Sequence, residues 1–278
     1  MKDKRGQSVG VFDSGIGGLT VARELMRQLP GERLVYLGDT ARTPYGNKSP
    51  ENLVRFALET GGFLAKQGVK LLVVACNTSS AYSLPALRKK LKIPVVGVIL
   101  AGARAAVDRR AGQNIGVIGT HATVRSGAYQ KAIRGLEPSA KVLAQACPLF
   151  VPLVEEGWAS DPVASQVALR YLGPLKKQGV DTVVLGCTHY PLLKPVLRKI
   201  LGPKIALVDS ARETAYEVAE LLQAMGMAST RKKVPFSGHR FYVTDLPEQF
   251  SALGTRFLGQ PLKQVHTVSL AQLAKASA

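Results

Sequence analysis

Cysteine is scarce: only Cys76, Cys147 and Cys187 occur in 278 residues. An odd set with no export signal ahead of it excludes a disulfide framework and leaves free thiols with a packing or chemical role. Long apolar runs are missing as well. No stretch reaches the roughly 18 uncharged apolar residues that a bilayer span needs, so no membrane association is expected. Residues 93–103 come nearest, but Pro94, Gly97 and Gly102 interrupt them and Arg104 closes them. The charged residues from Met1 to Arg5 lead into no apolar signal region, and a cytoplasmic protein is expected. Acidic residues are few, 19 against 37 basic ones, for a formal net charge of +18. That excess is scattered: Arg88-Lys89-Lys90, Arg109-Arg110, Lys176-Lys177, Arg198-Lys199 and Arg231-Lys232-Lys233. No zinc-finger spacing, RNA-recognition signature or long basic run accompanies it, so it reads as a solvated basic surface and no nucleic-acid partner is expected. Neither a metal-ligand cluster nor a P-loop lysine is present. With 46% hydrophobic and only 20% charged residues, the chain buries a sizeable core rather than remaining disordered.

What is present is alternation. Short Val/Ile/Leu-rich runs recur at 9–12, 34–37, 71–75, 95–99, 115–118, 183–185 and 205–208. Between them lie stretches with helical spacing of apolar residues, such as 19–29 and 52–66, the latter preceded by a capping Ser49 and a first-turn Pro50. Strands alternating with helices predict an α/β fold with mainly parallel sheets. The chain also repeats itself. Residues 64–78 (LAKQGVKLLVVACNT) and 175–189 (LKKQGVDTVVLGCTH) share Leu, Lys, Gln, Gly, Val, Val and Cys in register. Each copy reads as a helix end, a turn at Gly68 or Gly179, a buried strand and a cysteine. A proline-bearing helix follows, at Pro85 and Pro195. A weaker echo links residues 9–14 to residues 115–120, and two half-sized α/β units result.

Ligands of open α/β sheets bind beyond the carboxyl ends of the strands, where Cys76 and Cys187 both fall, each expected just before a helix. A helix N-terminus favours negative charge, which predicts a lowered thiol pKa at both. Cys147, ahead of Pro148, reads as packing. Facing units would bring the two thiols to one cleft from opposite sides, the arrangement that inversion at a carbon requires. Asp13-Ser14-Gly15-Ile16-Gly17-Gly18 is a glycine-rich turn able to offer backbone amides to a carboxylate. Asn77, Thr78 and Thr188 offer hydrogen bonds at the expected helix starts, and Pro44-Tyr45-Gly46 reads as a turn. Asp13 is a candidate partner for Cys76, and His189 for Cys187.

Taken together, residues 11–20, Asp39-Thr40 with Pro44-Tyr45-Gly46, residues 75–78 and residues 185–190 resemble the glutamate racemase family. Residues 116–120 with Thr123, residues 147–157 and Asp209-Ser210-Ala211 extend the resemblance over roughly residues 8 to 268. It implies a cofactor-independent amino-acid racemase that supplies D-glutamate for bacterial peptidoglycan, commonly as a homodimer, with no metal. Cys76 and Cys187 correspond to the family's catalytic cysteines. Asp13, His189 and a glutamate placed at Glu155 rather than Glu156 are its auxiliary acid–base residues. Substrate-binding positions fall on Asp13, Ser14, Tyr45, Gly46, Asn77, Thr78, Thr120, Thr188 and His189. The implied fold is two pseudo-symmetric α/β domains with the site between them, the C-terminal segment returning to the first. One domain spans 1–98 and 210–278, the other 99–209. A proline is expected before Gly102; Ala101 stands there, at the expected crossover, where it bears on hinge stiffness rather than chemistry.

Overall fold

The computed structural model describes residues 3–109 and 114–277; Met1, Lys2 and Ala278 of the expected first domain and Arg110 of the basic pair at 109–110 lie outside the described residues. The apolar runs become strands β1 (Val9–Asp13), β2 (Leu34–Gly38), β3 (Leu71–Val74) and β4 (Val95–Gly97), followed by β5 (Asn114–Gly119), β6 (Lys141–Ala146), β7 (Thr182–Gly186) and β8 (Ala206–Asp209). Two later strands, β9 (Arg240–Val243) and β10 (His266–Thr267), complete the set among the described residues. One sheet has the order β10-β9-β2-β1-β3-β4 and the other β6-β5-β7-β8, with every pairing parallel. The fold is therefore α/β, and the order β2-β1-β3-β4 recurs as β6-β5-β7-β8. The sequence repeat is thus a structural repeat, with β1 equivalent to β5 and β3 to β7.

Strands β1, β2, β3 and β7 are buried along their whole length, as parallel strands covered by helices on both faces must be. Their uninterrupted apolar character follows from that double burial. Ahead of β3, Ser49 accepts a hydrogen bond from the Asn52 N–H and Pro50 occupies the first turn of helix Pro50–Lys66. That helix ends before Gly68 (φ +73°), and its counterpart Pro162–Lys177 ends before Gly179 (φ +70°).

The structure departs from the sequence expectation after β4 and after β7. The run 95–99 is not one strand: β4 ends at Gly97, and helix Val98–Val107 begins at once. Ala101 lies inside that helix and is buried, so the expected proline is replaced by a residue that keeps its helical N–H. No α-helix follows Cys187 directly; a 3₁₀ turn at Tyr190–Leu193 intervenes before helix Lys194–Leu201.

After β8 the chain re-enters the first unit through helix Ser210–Ala224, and β9 pairs with β2. A fully buried ion pair clamps this return: Lys70 Nζ lies 2.6 Å from Glu32 and donates to the Met227 carbonyl at 2.7 Å, while Glu32 Oε1 accepts from the Ser229 N–H at 2.7 Å. One continuous apolar cluster runs from Val11 and Leu25 through Ala215 and Leu222 to Leu185 and Leu197, joining the two units.

Candidate active site

Both repeat cysteines sit at strand tips. Two residues past β3, Cys76 occupies the N-cap of helix Asn77–Lys90, where its sulfur accepts from the Ser79 N–H at 3.5 Å and contacts Ser14 Oγ at 3.7 Å. Cys187 directly follows β7. Together they line one small cavity of 40 Å³, along with Ser14, Tyr45, Gly46, Asn77, Thr78, Thr120, Thr188 and His189. Every residue expected to bind substrate, apart from Asp13, therefore borders one space at the carboxyl ends of both sheets. Asp13 ends β1 and is fully buried; its carboxylate accepts from the Gly15 N–H at 3.1 Å. The expected pairing of Asp13 with Cys76 is not a hydrogen bond, since the sulfur's hydrogen-bonding partners are Ser14 and Ser79.

The expectation of a lowered thiol pKa fails at Cys76. Burial, reinforced by the neighbouring Asp13 charge, pushes the thiol up to about 12, outweighing the amide at the helix start. Desolvation of a charged sulfur exceeds what one N-terminal turn returns. Burial likewise raises the Asp13 carboxyl above its ordinary value, against the opposing charge of His189. On the other side, His189 Nδ1 lies 3.9 Å from Cys187 Sγ, and Nε2 lies 2.9 Å from Glu155 Oε1. Burial opposes charging of the imidazole, but its contacts with Cys187 and Glu155 prevail and hold it up to about 10. The carboxylate that reaches His189 is Glu155, on helix Phe150–Glu155. Cys147 is buried; its sulfur is 3.6 Å from the Gln145 carbonyl, and its own carbonyl accepts from Tyr190 Oη at 2.8 Å.

The two halves meet closely at this point. A Cβ on Gly17 would lie 2.2 Å from Thr188 Oγ1 and 2.4 Å from His189 Nδ1, so only glycine admits this approach. Thr20 Oγ1 donates to the Thr188 carbonyl at 3.1 Å. Across the cavity, Thr78, Thr120 and Thr123 hydroxyls form a triangle with sides of 2.9, 3.0 and 3.1 Å.

Four participants had received no role from the sequence. Thr123 is bound to Thr78 and Thr120, and its spacing from the cap at Thr120 was the available signal. Tyr129 donates to Asn77 Oδ1 at 2.7 Å. Asp39 accepts from Tyr45 Oη and, at 2.7 Å, from Arg42 Nε, fixing the loop that carries Gly46. Arg42 also pairs with Glu59 and covers the Phe56 ring at 4.2 Å. Nothing in the local pattern around Tyr129 or Arg42 marks them. Among the described residues, no group of His, Cys, Asp and Glu is arranged to hold a metal ion, and no helix is long and apolar enough to cross a membrane.

Fold and site together define a class: amino-acid racemases built from two facing parallel α/β units. Within that class the chain belongs to the Asp/Glu/Hydantoin racemase family, whose model matches residues 10–218. It is 52% identical over 264 residues to a glutamate racemase of Geobacter metallireducens, covering 95% of this chain and 97% of that protein. Its structure is similar to that of a Bacillus anthracis glutamate racemase isoform, with TM-score 0.90, 42% identity, and coverage of 96% of this chain and 98% of the other. It is also similar to a Francisella tularensis glutamate racemase solved in complex with D-glutamate, with TM-score 0.89, 38% identity, and coverage of 96% and 98%.

Proposed function

We propose that this protein interconverts L- and D-glutamate by passing the α-proton between Cys76 and Cys187, without a cofactor. The observation that carries the reading is the convergence of two thiols, from equivalent tips of two sheets, on one small cavity bordered by Ser14, Asn77, Thr78, Thr120, Thr188 and His189. Inversion requires a base on one face of the carbon and an acid on the other, with the roles exchanged in reverse. One thiolate removes the α-proton, and the electron pair left on the carbon delocalises into the adjoining carboxylate. The opposite thiol then delivers its own proton to the other face, and exchange with solvent resets the pair. Because Cys76 is held up to about 12, it rests as a thiol, ready to donate. The substrate's ammonium group, once bound nearby, favours its thiolate for the reverse direction. On the other side, His189 exchanges a proton with Cys187, and Glu155 orients the imidazole. Ser14, Asn77, Thr78, Thr120 and Thr188, with the amides of the glycine-rich turn and of Tyr45-Gly46, receive the two carboxylates and stabilise the developing charge.

The names of the relatives and the D-glutamate bound in one of them support glutamate as substrate. In this reading residues 1–98 with 210–278 and residues 99–209 act as two domains of a bacterial cytoplasmic homodimer that supplies D-glutamate for peptidoglycan.

The test is racemisation in heavy water by protein dialysed against chelator. Early product should carry deuterium at the α-carbon while recovered substrate carries almost none. Cys76→Ser and Cys187→Ser should each lower kcat by at least about a thousandfold, serine being a far weaker acid and base near neutrality. Deuterium appearing rapidly in recovered substrate, or full activity in either folded variant, overturns the mechanism. Racemisation of aspartate in preference to glutamate overturns the substrate.

A further inference from the structure

The Asn77 side chain is 2% exposed, lines the site cavity, and has an Nδ2 with no hydrogen-bond partner among the described residues. A buried amide N–H₂ left unpaired is costly, and few such groups persist without a purpose. The other end of the same amide is occupied: Oδ1 accepts from Tyr129 Oη at 2.7 Å. We infer that Tyr129 is a positioning residue whose hydroxyl fixes the Asn77 amide so that its N–H₂ is kept free for a substrate carboxylate. This rests on the glutamate reading above and adds to it a residue that does not line the cavity.

Three observations support the assignment. Tyr129 is fully buried on helix Ala128–Leu136, in the unit opposite the one that carries Asn77, so the bond forms only when the two units are together. Its surroundings leave it no freedom. The ring lies against Gly186, where a Cβ would come within 3.1 Å of Cε2, and the hydroxyl lies against Gly102, where a Cβ would come within 3.2 Å. Burial also holds the phenol above its ordinary value, so it remains a donor across the working pH range. A phenol that keeps its proton satisfies the amide oxygen and thereby fixes which end of Asn77 is left over. Gly186 directly precedes Cys187, so one tyrosine sets both the amide and the backing of the thiol loop.

The test is a double-mutant cycle with Tyr129→Phe and Asn77→Ala, read as KM and kcat for each enantiomer. Tyr129→Phe keeps the ring packing and should raise both KM values roughly three- to tenfold, the range expected for losing one neutral hydrogen bond. In the Asn77→Ala background the same change should add little to KM, because only the hydroxyl's contact with Ser210, away from the substrate amide, is then left to lose. Losses that multiply, or a Tyr129→Phe enzyme with unaltered KM, overturn the inference. Should Tyr129→Phe fail to fold, Asn77→Asp serves instead: it keeps an acceptor for the tyrosine but has no N–H₂, and should lose substrate binding with its fold intact. An unaltered KM in Asn77→Asp overturns the inference equally. A readout independent of turnover is the ¹⁵N side-chain amide resonance of Asn77, assigned by its loss in Asn77→Ala. Its cross-peaks should shift and broaden in Tyr129→Phe, because the amide has lost the donor that holds its oxygen. Unchanged cross-peaks overturn the inference even if the wild type proves inactive on glutamate, the result that would instead overturn the proposed function.

Discussion

His189 carries two contacts that oppose the effect of its own burial. Cys187 and Glu155 together hold the imidazolium up to about 10, above the ordinary histidine value of 6.5. A raised pKa in the folded state stabilises the fold fully at pH below 6.5, and that contribution is lost as pH rises through 10. Replacing Glu155 by Gln removes one of the two supports while keeping a hydrogen-bonding group. The imidazolium should then deprotonate at lower pH, moving the alkaline limb of kcat toward neutrality by about one unit. The stability gap between wild type and Glu155→Gln should be largest near pH 6 and close as pH rises toward 10. Urea unfolding at several pH values measures the second effect, and a pH–rate profile the first. An unmoved alkaline limb would separate Glu155 from the chemistry. At this scale Cys76, Cys187, Asp13 and His189 were legible because each falls in a repeated or glycine-rich strand-end motif. Tyr129 was not, because its partner is 52 residues away in sequence, and neither was Arg42, whose second carboxylate, Glu59, is 17 residues away; no local periodicity encodes those meetings.

Among the elements, strands buried on both faces were the legible ones. β1, β2, β3 and β7 read as plain apolar runs, since helices cover both sides of the parallel sheets. β6 did not: it is an edge strand of sequence KVLAQA and is largely only half-buried, so its composition lacks that signature. β9 and β10 are short and join the first sheet only by a return from more than 200 residues away, which periodicity cannot show. The run 95–99 hid a boundary because an apolar stretch looks alike as the end of a buried strand and the start of a buried helix. The returning segment has its own energetic anchor in Lys70 and Glu32. Lys70→Met leaves a buried carboxylate without its cation and should cost about 3–5 kcal/mol of stability. Adding Glu32→Gln removes the stranded charge and still accepts from the Ser229 N–H, so the double variant should recover at least half of that loss. Chemical unfolding of the two variants decides the matter; equal stability would mean the charge pairing contributes little to holding the return.

Considered whole, the molecule is closed too tightly to receive its substrate. A cavity of 40 Å³ has room for about three waters, each of which needs roughly 10–15 Å³ of such space. The dicarboxylic amino acid of the proposed function needs more room than that, so on that reading the units part before binding and close over the ligand afterwards. One contact that must yield lies outside the cavity: Tyr82 Oη, on the first unit, donates to the Ala122 carbonyl of the second at 3.1 Å. Tyr82→Phe deletes this bond from the closed form alone and keeps the aromatic packing. A neutral hydrogen bond contributes about 1 kcal/mol, so the closed, ligand-holding form should lose roughly fivefold in relative population. KM should therefore rise about two- to fivefold for L- and D-glutamate alike. Release of product requires the same opening, so kcat should stay at or above its wild-type value. The two enantiomers have equal free energy in an achiral solvent, which forces kcat/KM to be equal in the two directions for every variant. A fall in kcat with KM unchanged would place Tyr82 in the chemical step rather than in closure. A KM raised to a similar degree for both enantiomers, with kcat retained, would tie the loss to a motion that both enantiomers share.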